Sequence, residues 1–379
     1  MKNHVPIYFS VSFPLEMRYL LCTLFFSIAS LLLNAQPTSE DQYFHIHLTN
    51  SIPCTEVKDQ SQSSTCWVFA TNSLFESDLI KKRSIRLNLS EMFIARHAYI
   101  DKAKQYLATK GRTYFEGGGQ FHDVIRVVNR YGMLPEEVYN GRVNGEYNHN
   151  HARLDTAMRR MGRKFLQQGK TELNSKDLQQ VNDTLDRYLG KLPLTFCYEL
   201  QQYDAKSFAK DMVQFGNDYI EVMSFSDLPL YKKCLLADKF NWAGDSLYNI
   251  SLNDMQMLVD TALANGWSVG WEGDVTDPGF SSSTGYATLY NTSHNYDEER
   301  IQNYKTEVTK RDHMLHLVGI GRDENNREWY YMKNSWGIWF NPFNGYMYMA
   351  EDYFKLKTVI LMVNKAALPN SLKNKLGIN

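Results

Sequence analysis

The chain has almost no net charge: 41 lysines and arginines stand against 42 aspartates and glutamates, a formal balance of -1 over 379 residues. That excludes a whole-chain electrostatic pull toward nucleic acid or anionic membrane, and no nucleic-acid partner is expected. The local basic stretch Arg159-Arg160 and Arg163-Lys164 reads as a solvated helix face. Cysteine is scarce. The five present are widely spaced, with no pair at metal-site spacing, which rules out a disulfide scaffold or a zinc knuckle as the organising device. His45/His47 and His149/His151 lack carboxylate or cysteine companions and read as surface histidines. There is no phosphate loop, because Gly117-Gly118-Gly119 is not followed by Lys-Ser/Thr. No internal repeat or low-complexity segment stands out, and neither a metal nor a cofactor is expected.

Long apolar runs are equally rare. The run Tyr19 to Leu33 is short of the roughly 20 apolar residues that a spanning helix needs. It follows basic Met17-Arg18, a candidate true start, and leads through Leu33-Asn34-Ala35 into polar Gln36-Pro37. That layout is a secretory signal peptide, residues 1–35, cleaved after Ala35. The expectation is export to the periplasm or beyond, with no stable membrane anchor after cleavage. Cys22 leaves with the signal, and bulky Leu20-Leu21 before it argues against a lipoprotein site. Cys54, Cys197 and Cys234 read as small buried hydrophobes.

The remaining sequence divides into unlike halves. From Cys66 the apolar residues Val68, Phe69, Leu74, Phe75, Leu79 and Ile80 recur at helical spacing, so a long helix begins beside Cys66. Leu89-Ser90-Glu91 opens a second helix and Val124 to Val128 a third, which stops near Tyr131-Gly132. Residues of about 148–190 are charged and helical in pattern, like an inserted helical subdomain. From Leu192 onward strand candidates take over: Trp267 to Trp271, Leu315 to Gly319, Trp329 to Met332, Tyr346 to Met349 and Val359 to Val363. A helical front and a strand-rich back predict an α+β fold of two unlike lobes over 36–365, with a tail at 366–379.

Cys66 is set apart by its company. A thiol that attacks an amide needs a positive neighbour or helix N-terminus to ionise it, and a histidine to protonate the leaving amine. It also needs a group to orient that histidine and a donor for the oxyanion. Cys66 stands where a helix begins, and Gln60 upstream offers an amide donor. Asp312-His313 leads into a strand, and the next strand runs into Asn334-Ser335-Trp336-Gly337, which brings the Asn334 amide to the His313 ring with the Trp336 indole as a shield. His316 is the rival histidine, and strand alternation sets it on the opposite face from His313.

Lys58 to Ala70, Asp312-His313 with Gly319-Ile320-Gly321, Asn334-Ser335-Trp336-Gly337 and Gly118-Gly119 together resemble the motifs of papain-like cysteine peptidases, in family order. Leu89-Ser90-Glu91, Asp101-Lys102, Gly118-Gly119-Gln120-Phe121, Asp274-Val275 and Gly345 to Met349 are similar to the bleomycin hydrolase and bacterial aminopeptidase C branch, from about Thr55 to Lys365. The resemblance implies a helical N-terminal lobe and an antiparallel, β-barrel-like C-terminal lobe. It implies Cys66 as nucleophile, His313 as acid/base, Asn334 as orienter and Gln60 as oxyanion donor, with Gly118, Gly119 and Trp336 against the substrate. Peptide substrates, broad aminopeptidase activity and a homo-oligomer, hexameric in that branch, are further implications. Ser63 and Glu116 stand where papain proper has a disulfide. The branch's C-terminal arm, which blocks one side of the cleft, does not resemble Ser371 to Asn379. An endopeptidase with an open cleft is therefore the alternative, followed by a catalytically silent peptide-binding homologue and by an acyltransferase, which would use aspartate as orienter.

Overall fold

Apolar residues alternate along the strands and recur every three to four residues along the helices, and this sorting decides which faces meet. The computed structural model describes residues 44–214, 217–290 and 295–378, so the expected signal peptide lies outside the described residues. Every element named below falls in the unit Ile46–Asn379. The first half runs through strand β1 (His47–Ser51) and helices α1 (Cys66–Arg83), α2 (Glu91–Ala108), α3 (Phe121–Tyr131), α4 (Ala152–Gln167) and α5 (Ser175–Leu189). A hairpin, β2 (Phe196–Tyr198) and β3 (Gln201–Tyr203), and the short α6 (Ala205–Phe208) lead into β4 (Tyr219–Met223), β5 (Lys232–Leu235) and β6 (Ser246–Asn249). The second half continues with α7 (Leu252–Ala264), β7 (Val269–Gly273), β8 (Phe280–Ser281), β9 (Tyr286–Ala287), α8 (Tyr296–Lys305) and β10 (His313–Arg322). It closes with β11 (Glu328–Lys333), β12 (Tyr346–Ala350), α9 (Glu351–Lys357), β13 (Thr358–Asn364) and α10 (Asn370–Leu376).

Local chemistry sets the helix starts. The Thr65 carbonyl accepts from the N–H groups of Val68 and Phe69, so Cys66 is the first helical residue of α1. Ser90 caps α2 by accepting from Phe93 N at 3.0 Å, an interaction typically worth about 1 kcal/mol. Asp123 closes the first turn of α3 by accepting from Gln120 N at 2.9 Å.

Eleven strands form one mixed sheet in the order β5-β6-β4-β13-β7-β10-β11-β12-β9-β8, with β1 on the far half of β10. Among the described strands only β4–β6 and β12–β9 pair in parallel. The path stays open among the described residues: its end strand β8 and its neighbour β9 have two residues each, too short a ladder to close the sheet into a barrel.

Alternation along β13 sends Ile360 and Met362 to one face and Leu361 and Val363 to the other. The first face packs against α1, α2 and α3 through Phe75, Leu79, Phe93 and Val124. The second packs against α7, α9 and α10 through Met255, Leu258, Phe354 and Leu372. Each such side chain contributes about 1.5–3 kcal/mol when fully buried. Helices α4 and α5 bury Leu154, Met158 and Phe165 against Val181 and Leu185, and Arg96 of α2 holds Asp186 at 2.6 Å.

Two expectations are corrected. His149 and His151 are buried, not at the surface, because their backbone pairs with Gln62 on both sides (3.0 and 3.1 Å) and is drawn under that loop. Cys197 is exposed, on the small β2–β3 hairpin, and Cys54 and Cys234 are only half-buried. Among the described residues no helix is long and apolar enough to cross a membrane.

Candidate active site

Strand β10 pairs with β11 so that His316 lies opposite Lys333, and this register carries Asn334, one residue past β11, to the start of β10. There the His313 ring and the Asn334 amide meet, Nε2 to Oδ1, at 2.8 Å. The same oxygen accepts from Ser335 N at 2.7 Å, and the amide nitrogen turns toward the Met347 sulfur at 3.7 Å. The amide oxygen thus faces the ring, Nε2 carries the proton, and Nδ1 is left as the basic nitrogen. The Trp336 indole stacks on the His313 ring at 4.4 Å and 28°. His316 points the other way, its Nδ1 2.8 Å from Ser73 Oγ of α1, in a buried polar layer with Lys333.

Cys66, His313, Gln60, Gly118, Gly119 and Trp336 line one pocket of about 420 Å³. Gln60 is fixed from two sides: its N–H donates to Ser335 O at 2.8 Å, and its Oε1 accepts from Ser335 Oγ at 2.7 Å. With the oxygen so occupied, the amide NH2 is the end left for a ligand. Gly119 lies so close to Trp67 that a Cβ there would sit 2.8 Å from the indole, while Trp67 Nε1 donates to Gly117 O at 2.8 Å. Lys102, buried, donates to the carbonyls of Glu116 (2.6 Å) and Gly118 and so fixes this strip of backbone from within the protein. The Glu116 side chain pairs with Arg159 of α4, and Ser63 bonds Thr65 at 2.5 Å, so polar contacts stand where papain proper carries its disulfide.

Burial governs the titration of the pair. It pushes the Cys66 thiol up to about 12, helped by the Glu272 and Asp312 carboxylates and opposed by the backbone N–H groups of Met314 and Trp67. It pushes His313 down to about 4 against the pull of Asn334. A proton passed from thiol to imidazole makes two opposite charges together, with little net charge to desolvate.

Sequence reasoning missed several pocket residues. Arg311 binds the Glu272 carboxylate through Nε and Nη2, both at 3.1 Å, and its Nη2 also donates to Gln120 at 2.6 Å. A charged residue inside the apolar strand Trp267 to Trp271 and its continuation was the available signal for Glu272. Phe240 and Tyr114 carried none. Trp339 is 93% exposed, two residues past Gly337, whose φ is +79°.

A pocket lined both by a cysteine at a helix start and by an amide-bound histidine is the kind of site a cysteine peptidase uses. Residues 27–378 match the Peptidase C1-like family, and the chain belongs to it, in the papain-like branch of aminopeptidase C and bleomycin hydrolase. It is similar to aminopeptidase G of Lactobacillus delbrueckii subsp. lactis, 24% identical over 365 aligned positions that cover 84% of this chain and 83% of the relative. It is also similar to bleomycin hydrolase of Gallus gallus, at 22% identity with coverages of 83% and 81%. The crystal structure of PepW from Lactobacillus rhamnosis HN001 superposes with a TM-score of 0.72 over 93% of this chain and 90% of that one, at 14% identity.

Proposed function

We propose that the protein hydrolyses peptide bonds through Cys66, His313 and Asn334, as an aminopeptidase of broad specificity. The observation that carries this reading is the 2.8 Å His313–Asn334 contact in a pocket that Cys66 and Gln60 share. His313 Nδ1 takes the Cys66 proton as the sulfur attacks the carbonyl carbon. The carbonyl electron pair moves to oxygen, where the Gln60 amide and the Cys66 N–H at the start of α1 receive the negative charge. Nδ1–H then protonates the leaving amine, the C–N bond breaks and a thioester remains. Water, deprotonated by Nδ1, attacks that thioester and releases the acid.

The aminopeptidase assignment follows the names of the relatives. One observation favours the endopeptidase alternative: α10 packs on α7, with Lys375 on Asp254 at 2.9 Å, and no residue of α10 lines the pocket. The test is turnover of a fluorogenic aminoacyl amide in reducing buffer, with an epoxide as thiol label. Cys66→Ala should abolish turnover and labelling while keeping the circular dichroism spectrum. Substantial residual turnover in that variant would sink the assignment of the nucleophile.

Export and a homo-oligomer belong to the same reading. An N-terminus at Gln36 on protein recovered outside the cytoplasm is the expected result for the first. A sedimentation mass several times that of the monomer is expected for the second.

A further inference from the structure

The loop between β5 and β6, Leu236 to Asp245, carries Phe240 onto the Gly118 end of the pocket. The ring lies 2.6 Å from where a Cβ on Gly118 would stand, and it meets Tyr114 edge-on at 5.2 Å. The loop is fastened at several points. Asn241 Nδ2 donates to the carbonyls of Leu236 (3.2 Å) and Asp245 (2.8 Å), and Trp242 Nε1 donates to Asp123 of α3 at 2.7 Å. Asp245 pairs with Arg126 of the same helix.

Charge is uneven at this end. Arg311 holds Glu272 at 3.1 Å and stands 3.7 Å from Asp238, so two carboxylates share one guanidinium. Asp238 stands just behind the residues that line the pocket: its Oδ1 accepts from Phe240 N at 2.7 Å, and its side chain keeps 21% of its exposure. The leaving amine of a substrate must lie beside His313, which protonates it. Residues on the amino side of the scissile bond therefore run the other way, along Gly118 and Gly119 toward Phe240.

We propose that the Leu236–Asp245 loop closes the amino-terminal side of the cleft, with Phe240 as the wall and Asp238 as the group that receives the substrate's α-ammonium. This rests on the peptidase reading above and assigns the exclusion to an internal loop, not to the end of the chain. The protein would then take peptides by a free amino terminus although α10 lies elsewhere.

The test compares one fluorogenic peptide with a free and an acetylated amino terminus. Wild type should favour the free form, and Phe240→Gly should raise the acetylated-to-free ratio of kcat/KM by about tenfold or more, whereas Phe240→Trp should keep the wall. Asp238→Asn should raise KM for the free form about tenfold with kcat held, the scale of one charge-assisted contact. Epoxide labelling of Cys66 in each variant reports an intact pocket. Equal cleavage of both peptides by labelled wild type, or a ratio unmoved in labelled Phe240→Gly, overturns the wall. An unchanged KM in Asp238→Asn overturns the ammonium site. Failure to cleave either peptide, with no labelling of Cys66, overturns the peptidase reading and this inference with it.

Discussion

The thiol of Cys66 has two influences acting against each other. The start of α1 and two backbone N–H groups favour the thiolate, and burial beside Glu272 and Asp312 opposes it. Burial wins for the isolated thiol, so reactivity at neutral pH depends on a proton acceptor that becomes positive at the same moment. His313→Ala removes that acceptor. Alkylation of Cys66 by iodoacetamide at pH 7 should fall by about 100-fold or more, and the rate should climb as pH rises toward the thiol's own value of about 12. Mass spectrometry of the alkylated protein gives the rate, and an unchanged rate at pH 7 would mean that the helix start alone ionises the sulfur. That Cys66, His313 and Gln60 would meet at one pocket, with Asn334 on His313, was legible in the sequence because each sits in a short run of distinctive neighbours. The pairing of Arg311 with Glu272 was not, since it depends on β10 lying beside β7 in a register that places His313 opposite Gly273.

At the scale of elements, the segment between β1 and α1 positions Gln60, and Lys58 anchors it. Its ammonium meets Glu91 at 2.8 Å, Glu136 at 2.9 Å and Glu76 at 3.5 Å, with Glu76 and Glu91 nearly inaccessible to solvent. Burial lifts the Glu91 carboxyl to about 7, and Lys58 holds that rise in check. Lys58→Met would leave these carboxylates without a cation, at a cost of about 3–5 kcal/mol. A carboxyl with a raised value keeps its proton below that value and must ionise above it, so the variant should lose more stability at pH 8 than at pH 6. Urea midpoints at the two pH values check this, and an equal loss at both would show that Glu91 stays ionised throughout. The helices and strands themselves were readable from apolar periodicity, as the start of α1 at Cys66 and of α2 after Ser90 attest. The Lys58 cluster was not readable, because its four charges are scattered from residue 58 to residue 136 and meet only where α1 packs on α2 and the turn after α3 pairs with Asn88 and Leu89.

For the whole molecule, the buried histidines set the response to acid. Burial lowers His97, His149 and His313 to about 4 and His151 to about 3, and it holds His316, beside Lys333, well below its ordinary value. In the unfolded chain each would titrate near 6.5. Between pH 6.5 and 4 the unfolded chain therefore binds protons that the folded protein refuses, and stability present at neutral pH is lost on acidification. Carboxyls oppose the trend: burial raises Asp78 to about 6 and Glu91 to about 7, and it also raises Asp155, Asp260, Glu272, Asp312 and Glu328, so these gain on acidification over part of the same range. His122, raised to about 9 by Glu221 against its own burial, is charged in both states below pH 6 and adds no slope there. The five rings, all held well below 6.5, make stability fall as pH drops through that range, and the raised carboxyls offset part of the loss. Peptidase activity should then disappear on acidification together with the near-ultraviolet circular dichroism of the folded state, before His313 takes up its second proton near pH 4. A urea midpoint that stays level from pH 7 to pH 5 would contradict this, and it would mean that the buried rings accept protons without unfolding the chain.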